Sequence, residues 1–147
     1  MKVSIIAVGK LKRSPLHEQC AEYIKRITWP VKIKEIDAPK ASTSAQEAPL
    51  ILKAIPDNAV VIALDERGET LTSPQFAEKI GKWSQQGPEM VFLIGGADGF
   101  DNAVRERANY LLSFGKQTWP HMLVRVMLLE QVYRAQQIIA GHPYHRA

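Results

Sequence analysis

The sequence predicts an α/β fold built on a mostly parallel sheet. Short runs rich in β-branched apolar residues alternate with segments of helical period, as in chains that place helices between parallel strands. No internal repeat, low-complexity tract or block of like charge interrupts this alternation. A chain of 147 residues is long enough to bury one core without disulfides or a metal. We therefore expect one domain over residues 1–147.

The predicted elements follow one another in a regular order along the chain. They are VSIIAV (3–8), a helix over about 14–29, VKIKEI (31–36), AVVIAL (59–64), a helix at TSPQFAEKI (72–80), MVFLIG (90–95), a short helix near 101–109, YLLSF (110–114) and a last helix at about 121–140. Residues 38–49, rich in Ala, Ser and Pro, are interpreted as a loop running into a short helix. Ser73 is expected to cap the helix before Pro74.

The last predicted helix is apolar nearly all the way round, whereas an ordinary surface helix carries one apolar stripe. Such a helix needs cover on more than one side. In a chain this small, a second copy of the same protein is a plausible cover, which predicts an isologous homodimer.

Composition points to the cytoplasm and to a polyanionic partner. Cys20 is the single cysteine, and the apolar run after Lys2 is too short for a signal peptide or a membrane span. Basic residues outnumber acidic ones, and they concentrate in residues 1–34 and 108–147, which flank a net acidic middle. This distribution suits a polyanion lying across the first segment and the tail, with Lys10, Lys12 and Arg13 as candidate contacts. Solvated lysines explain a mild positive charge equally well.

Three segments follow predicted strands at the edge where open α/β sheets bind ligands. They are LDERG after 60–64, GGADG after 90–94 and FGKQTWPH after 110–114. Neither a dinucleotide-binding glycine motif nor a phosphate-binding P-loop is present. Glycines after a strand are most often turn residues, although they also permit close approach of backbone to a ligand.

Taken together, four segments resemble the bacterial large-subunit ribosomal RNA methyltransferase H family, of the SPOUT methyltransferases. They are LDERGETLTSPQFA, FLIGGADGF, TWPHMLVRVMLLEQVYRA and the terminal HPYHR, in the same order and spacing. The resemblance covers essentially the whole chain. It implies a SPOUT-type fold with helices on both faces of the sheet and a C-terminal trefoil knot, with the knot and cofactor cleft mainly in residues 90–147, and a homodimer.

The resemblance also implies S-adenosylmethionine as cofactor. Its contacts would be Leu64, Gly96 and the loop Gly115, Lys116, Gln117, Thr118, Trp119 and Pro120, largely through backbone groups and apolar walls. Gly115, Lys116 and Gln117 stand where relatives often carry small or apolar residues, and Trp119 replaces a smaller apolar residue or Phe.

The implied activity is methylation of N3 of a pseudouridine in the helix 69 stem-loop of large-subunit rRNA, within assembled ribosomes. Arg134, Tyr144, His145 and Arg146 would form the catalytic group. Tyr144 would stack on or hydrogen-bond to the base, and His145 would accept the N3 proton. Arg134 and Arg146 would hold phosphate or the developing oxyanion.

Other interpretations remain open from the residues alone. Glu130 and Arg134 are four apart on a helix and are equally consistent with an exposed ion pair. His121 is expected to cap the last helix. A non-enzymatic RNA-binding protein explains the basic ends and the aromatic tail, but not the strand-end loops. A metal hydrolase is disfavoured because the histidines fit no helical metal-binding spacing, so no metal is expected.

Overall fold

The computed structural model describes residues 1–39 and 41–145. Its five strands are β1 (Val3–Val8), β2 (Val31–Ile36), β3 (Val60–Thr70), β4 (Met90–Ile94) and β5 (Tyr110–Ser113). The five α-helices are α1 (Pro15–Arg26), α2 (Ser44–Ala54), α3 (Ser73–Trp83), α4 (Asn102–Arg107) and α5 (His121–Ile139), and a 3₁₀ turn follows at Pro143–His145.

The strands form one sheet in the order β2-β1-β4-β3-β5. Every neighbouring pair runs parallel, which confirms the predicted α/β fold. Parallel neighbours need a crossover connection, and helices supply it. The carboxyl ends of all strands therefore meet at one edge of the sheet.

Helices cover both faces of this sheet, as the resemblance implied. Alternate residues of β1 face opposite sides: Val3 and Ile5 enter one apolar core and Ile6 and Val8 enter the other. The first core is completed by buried residues of α1, α3 and α5, and the second by α2 and α4. Strands covered on both faces are continuously apolar, which explains the uninterrupted runs in the sequence.

The cap of α3 differs from its sequence prediction, since it is Thr72 and not Ser73. The Thr72 hydroxyl accepts the Gln75 N–H, and the Gln75 side chain reaches back to the Thr72 N–H. The short helix expected within residues 38–49 is α2, which begins at Ser44 with a full capping box and continues through Pro49 to Ala54.

Helix α5 packs against both α1 and α3. Leu128, Leu129, Val132 and Ala135 are fully buried, whereas Leu123, Val126 and Met127 stay partly exposed. Within one chain, only part of the apolar surface of this helix is therefore buried. The trefoil knot stays a prediction.

Candidate active site

A loop within β3 and the loops that follow β4 and β5 enclose a cavity of about 110 Å³ at the carboxyl edge of the sheet. They are the three segments that the sequence singled out. The lining includes Leu64, Asp65 and Glu66 of the first loop, Gly95, Gly96 and Gly99 of the second, and Phe114, Gly115, Gln117 and Trp119 of the third. Much of the wall is therefore backbone and apolar surface.

The residues predicted to contact the cofactor divide into two groups. Leu64, Gly96, Gly115, Gln117 and Trp119 line this cavity. Lys116, Thr118 and Pro120 belong to the same third loop but are exposed and do not line it. Sequence reasoning missed Asp65 and Glu66, although their position directly after a buried strand could have pointed to them.

The first loop is an excursion from β3. Leu112 of β5 pairs with Leu64 and again with Glu69, so residues 65–68 leave the ladder and the strand then resumes. The Asp65 carboxylate anchors the excursion, because it accepts the Arg105 Nε–H at 2.7 Å and the Arg67 backbone N–H at 2.9 Å. At Gly68 a Cβ would collide with the Leu111 carbonyl, so only glycine allows this close return to β5.

The second loop is a tight glycine turn. The Gly99 N–H donates to the Gly96 carbonyl at 3.0 Å, and Gly99 has a φ of 71°. Asp101 then caps α4 by accepting the Val104 N–H. A Cβ on Gly96 would lie 3.0 Å from Oε2 of Glu47, so the turn rests directly on that carboxylate.

The third loop leaves β5 through Gly115, whose φ of 114° disfavours any other residue. The Ser113 hydroxyl accepts the Gly115 N–H and donates to the Gly115 carbonyl. The Trp119 indole N–H donates to the Phe114 carbonyl at 3.3 Å. Thr118 donates to Glu66 Oε1 at 3.3 Å, which joins the third loop to the first.

His121 does not cap α5, contrary to expectation. Pro120 occupies the N-cap position, and no side chain accepts the free N–H groups there. The His121 ring lies beside Gly9, lines the small cavity and holds its Nδ1 buried without a hydrogen-bond partner.

A larger cavity of about 610 Å³ adjoins the first. Both are lined by Leu112 and Ser113 of β5 and by Phe114 and Gly115 of the third loop. The larger one extends along α5 as far as Gln131 and reaches Tyr23 of α1. Glu130, which lines it, also pairs with Arg134, the residue that contacts the tail.

The tail folds back on α5 through Arg134. The Arg134 Nε–H donates to Glu130 Oε1 at 2.8 Å, and Nη1 donates to the Tyr144 carbonyl at 3.4 Å. The guanidinium lies 4.9 Å from the centre of the Tyr144 ring, and that ring meets Tyr133 edge-on at 4.8 Å. The Glu130–Arg134 pair is partly buried, so it is not the freely exposed pair that helical spacing alone suggested.

This cluster changes the acidity of Tyr144. Burial raises the pKa of the phenol, and the Glu130 carboxylate raises it further, whereas Arg134 opposes the shift. Tyr144 is therefore a neutral hydrogen-bond donor over the whole physiological range. Of the predicted catalytic residues, the structure brings Arg134 and Tyr144 together. The side chain of His145 and all of Arg146 lie outside the described residues.

The three candidate RNA contacts follow β1 at the same edge of the sheet. Lys10, Lys12 and Arg13 are exposed, and the N–H of Leu11 between them donates to Glu35 at 2.7 Å. Their loop is thus fixed while the basic side chains face solvent.

Within residues 1–39 and 41–145, no helix is long and apolar enough to cross a lipid bilayer. In the same residues, no group of three or more His, Cys, Asp or Glu side chains is arranged to hold a metal ion.

Comparison with known proteins gives consistent similarities. Residues 1–145 match the family described as "Predicted SPOUT methyltransferase". The chain is 49% identical to the ribosomal RNA large subunit methyltransferase H of Rhodospirillum centenum, with all of both chains covered. It is 46% identical to the protein of that name from Paramagnetospirillum magneticum, with 99% of each covered.

A solved structure supports the fold. A probable methylase family protein from Haemophilus influenzae superposes with a TM-score of 0.58, over 95% of this chain and 66% of that one, at 14% identity. Sequence matches along the full length, together with three strand-end loops enclosing one cavity, assign the chain to the SPOUT methyltransferases, in the group of the ribosomal RNA large subunit methyltransferase H proteins.

Proposed function

We propose that this protein is an rRNA methyltransferase that uses S-adenosylmethionine to methylate N3 of a pseudouridine in the helix 69 stem-loop of large-subunit rRNA, in assembled ribosomes. The names of the relatives support the rRNA substrate. The observation that carries the proposal is that Leu112, Ser113, Phe114 and Gly115 line both the backbone-lined cavity and the larger cavity. Glu130, the hydrogen-bond partner of Arg134, also lines the larger one.

The residues around the smaller cavity fit the proposed cofactor. Leu64, Phe114 and Trp119 offer apolar walls for an adenine ring, and the glycine turn lets backbone groups approach closely. Asp65 and Glu66 offer carboxylate acceptors for hydroxyl or ammonium groups. When bound, S-adenosylmethionine supplies a methyl group on a positively charged sulfur.

The protein's own task is to orient the base and manage its proton. Arg134 is held by Glu130 and Tyr144, so its guanidinium is available in a fixed place to stabilise charge on the base oxygens. Tyr144 remains protonated and can donate to a carbonyl of the base. We propose that His145 accepts the N3 proton and that Arg146 binds phosphate or the developing oxyanion.

The RNA and a second subunit complete the proposal. Lys10, Lys12 and Arg13 would contact rRNA phosphates, since they are exposed at the edge that carries the cavity. The partly exposed Leu123, Val126 and Met127 of α5 support an isologous homodimer.

The test is transfer of a labelled methyl group from S-adenosylmethionine to ribosomes that lack this modification. Full-length protein is compared with protein truncated after Gly141. We expect transfer by the full chain only, with cofactor binding retained by both. Cofactor binding without transfer by the full chain would contradict the proposed substrate. Transfer by both proteins would contradict the role of the tail.

A further inference from the structure

Glu47 is a carboxylate enclosed between α2 and the glycine turn. The residue is 4% exposed. Its Oε2 accepts the Ser42 hydroxyl at 2.7 Å, whereas its Oε1 is buried without a hydrogen-bond partner. A carboxylate removed from water with so few partners destabilises the fold that contains it. Its presence therefore calls for a benefit other than stability.

The carboxylate lies directly behind the cavity wall. A Cβ built on Gly96 would be 3.0 Å from Oε2 and 3.2 Å from Oε1 of Glu47, and Gly96 itself lines the smaller cavity. Only the backbone of Gly96 thus separates the two. Within residues 1–39 and 41–145, no basic side chain forms an ion pair with Glu47. No salt bridge among these residues therefore neutralises its charge.

We propose that Glu47 makes the site prefer the methyl donor, S-adenosylmethionine, over the spent donor, S-adenosylhomocysteine. This inference rests on the proposed function. During transfer a bond forms between N3 and the methyl carbon, the carbon–sulfur bond breaks, and the N3 proton passes to a base. The sulfur keeps the electron pair, so S-adenosylhomocysteine is a neutral thioether. Donor and spent donor differ by one methyl group and one positive charge. A nearby carboxylate favours the charged form and so promotes release of the neutral one.

Calorimetric titration of the full-length protein with each compound tests this inference. Glu47→Gln keeps the shape and an acceptor for Ser42 but removes the charge. We expect the affinity for S-adenosylmethionine to fall about five- to tenfold and that for S-adenosylhomocysteine to change less than about twofold. Equal changes for both compounds, or none, would overturn the inference. If the unmodified protein binds neither compound, the proposed function fails, and this inference with it.

Matched variants separate charge from packing. Glu89 lies directly before β4, at the opposite end of this strand from Gly96. It likewise accepts a serine hydroxyl, that of Ser4, at 2.7 Å. Glu89→Gln should therefore leave the ratio of the two affinities unchanged, and so should Ser42→Ala and the charge-retaining Glu47→Asp. A lowered ratio in any of these three would overturn the inference.

Thermal unfolding without ligand gives an independent measurement. We expect Glu47→Gln to melt at the same temperature as the unmodified protein or higher, because it removes an underpaired buried charge. A lower melting temperature together with equally weakened binding of both compounds would assign Glu47 a structural role instead. It would thereby overturn the inference.

Discussion

Helix α5 carries two arginine–carboxylate pairs of nearly the same length in very different surroundings. Arg125 donates to Glu35 at 2.7 Å and Arg134 donates to Glu130 at 2.8 Å. The Arg125 side chain is 2% exposed and the Arg134 side chain 22%. The first pair links α5 to the sheet, whereas the second lies within α5, and its arginine also contacts the tail. The same chemistry therefore serves the fold at one end of the helix and, we propose, the reaction at the other.

Arg125 joins three parts of the chain. Besides Glu35 of β2, it donates to the Gly9 carbonyl at the end of β1, at 2.9 Å. Burial acts to raise the pKa of Glu35, but hydrogen bonds from the Leu11 N–H and from Arg125 outweigh it, so the net pKa is lowered. Among the residues that the structure describes, the hydrogen bonds of Arg134 go to its own helix and to the tail, so its loss removes no hydrogen bond to the sheet there.

Glu35→Gln breaks the first pair and should give the largest effect on stability. It leaves the Arg125 charge buried without its carboxylate, so the free energy of unfolding should fall by about 2–3 kcal/mol. This is less than for a fully enclosed pair, because Glu35 is one third exposed. Denaturant unfolding at pH 7 measures the difference. Glu130→Gln is the matched control and should cost less than about 1 kcal/mol.

The Arg125–Glu35 pair also determines how the free energy of unfolding depends on pH. Because folding lowers the pKa of Glu35 below its ordinary 4.5, the stabilisation by this pair is complete above pH 4.5. It disappears as pH falls through the folded pKa. Unmodified protein and Glu35→Gln should therefore converge in stability under acid. A constant difference down to pH 3 would contradict this account of the Arg125–Glu35 pair.

Arg134→Ala breaks the second pair and should affect the reaction instead. Methyl transfer to ribosomes should fall about 100-fold, equivalent to about 2.7 kcal/mol in the transition state. Unfolding free energy should change by less than about 1 kcal/mol, because the pair is near the surface. Radiolabel transfer and denaturant unfolding measure the two effects. Loss of stability without loss of transfer would reverse the assignment of the two arginines.

The elements that sequence reasoning predicted well are those whose signal is local. Strands β1 and β4 are buried on both faces, so their apolar runs identify them without knowledge of the fold. The location of the cavity followed because carboxyl ends of parallel strands share one edge. The resemblance supplied the predicted catalytic residues, of which Arg134 and Tyr144 are in contact.

Features that depend on distant contacts were not predictable. Arg125 was counted with the positive tail region, yet it is buried and paired with Glu35, 90 residues away. Glu47 lies in a segment expected to be partly loop, and nothing local indicates that it packs against Gly96. Thr72, and not the predicted Ser73, caps α3, because the Ser73 hydroxyl donates to Gln131 of α5 instead.

The smallest expected effect occurs at alkaline pH and concerns only the docking of the tail on α5. The raised pKa of Tyr144 means that its docked state holds the phenolic proton more tightly than a free tail would. Docking is therefore at full strength below the ordinary value of 10.0 and is lost as pH rises through the higher, docked pKa. Ultraviolet titration of tyrosine ionisation should show a late component that becomes smaller in Tyr144→Phe; the remainder belongs to Tyr110, whose pKa is also raised by burial and by Glu69. Glu130→Gln should move that component to lower pH, since the carboxylate raises this pKa, whereas Glu35→Gln should leave it in place. A late component of unchanged size in Tyr144→Phe would mean that the tail is not docked through Tyr144 in solution.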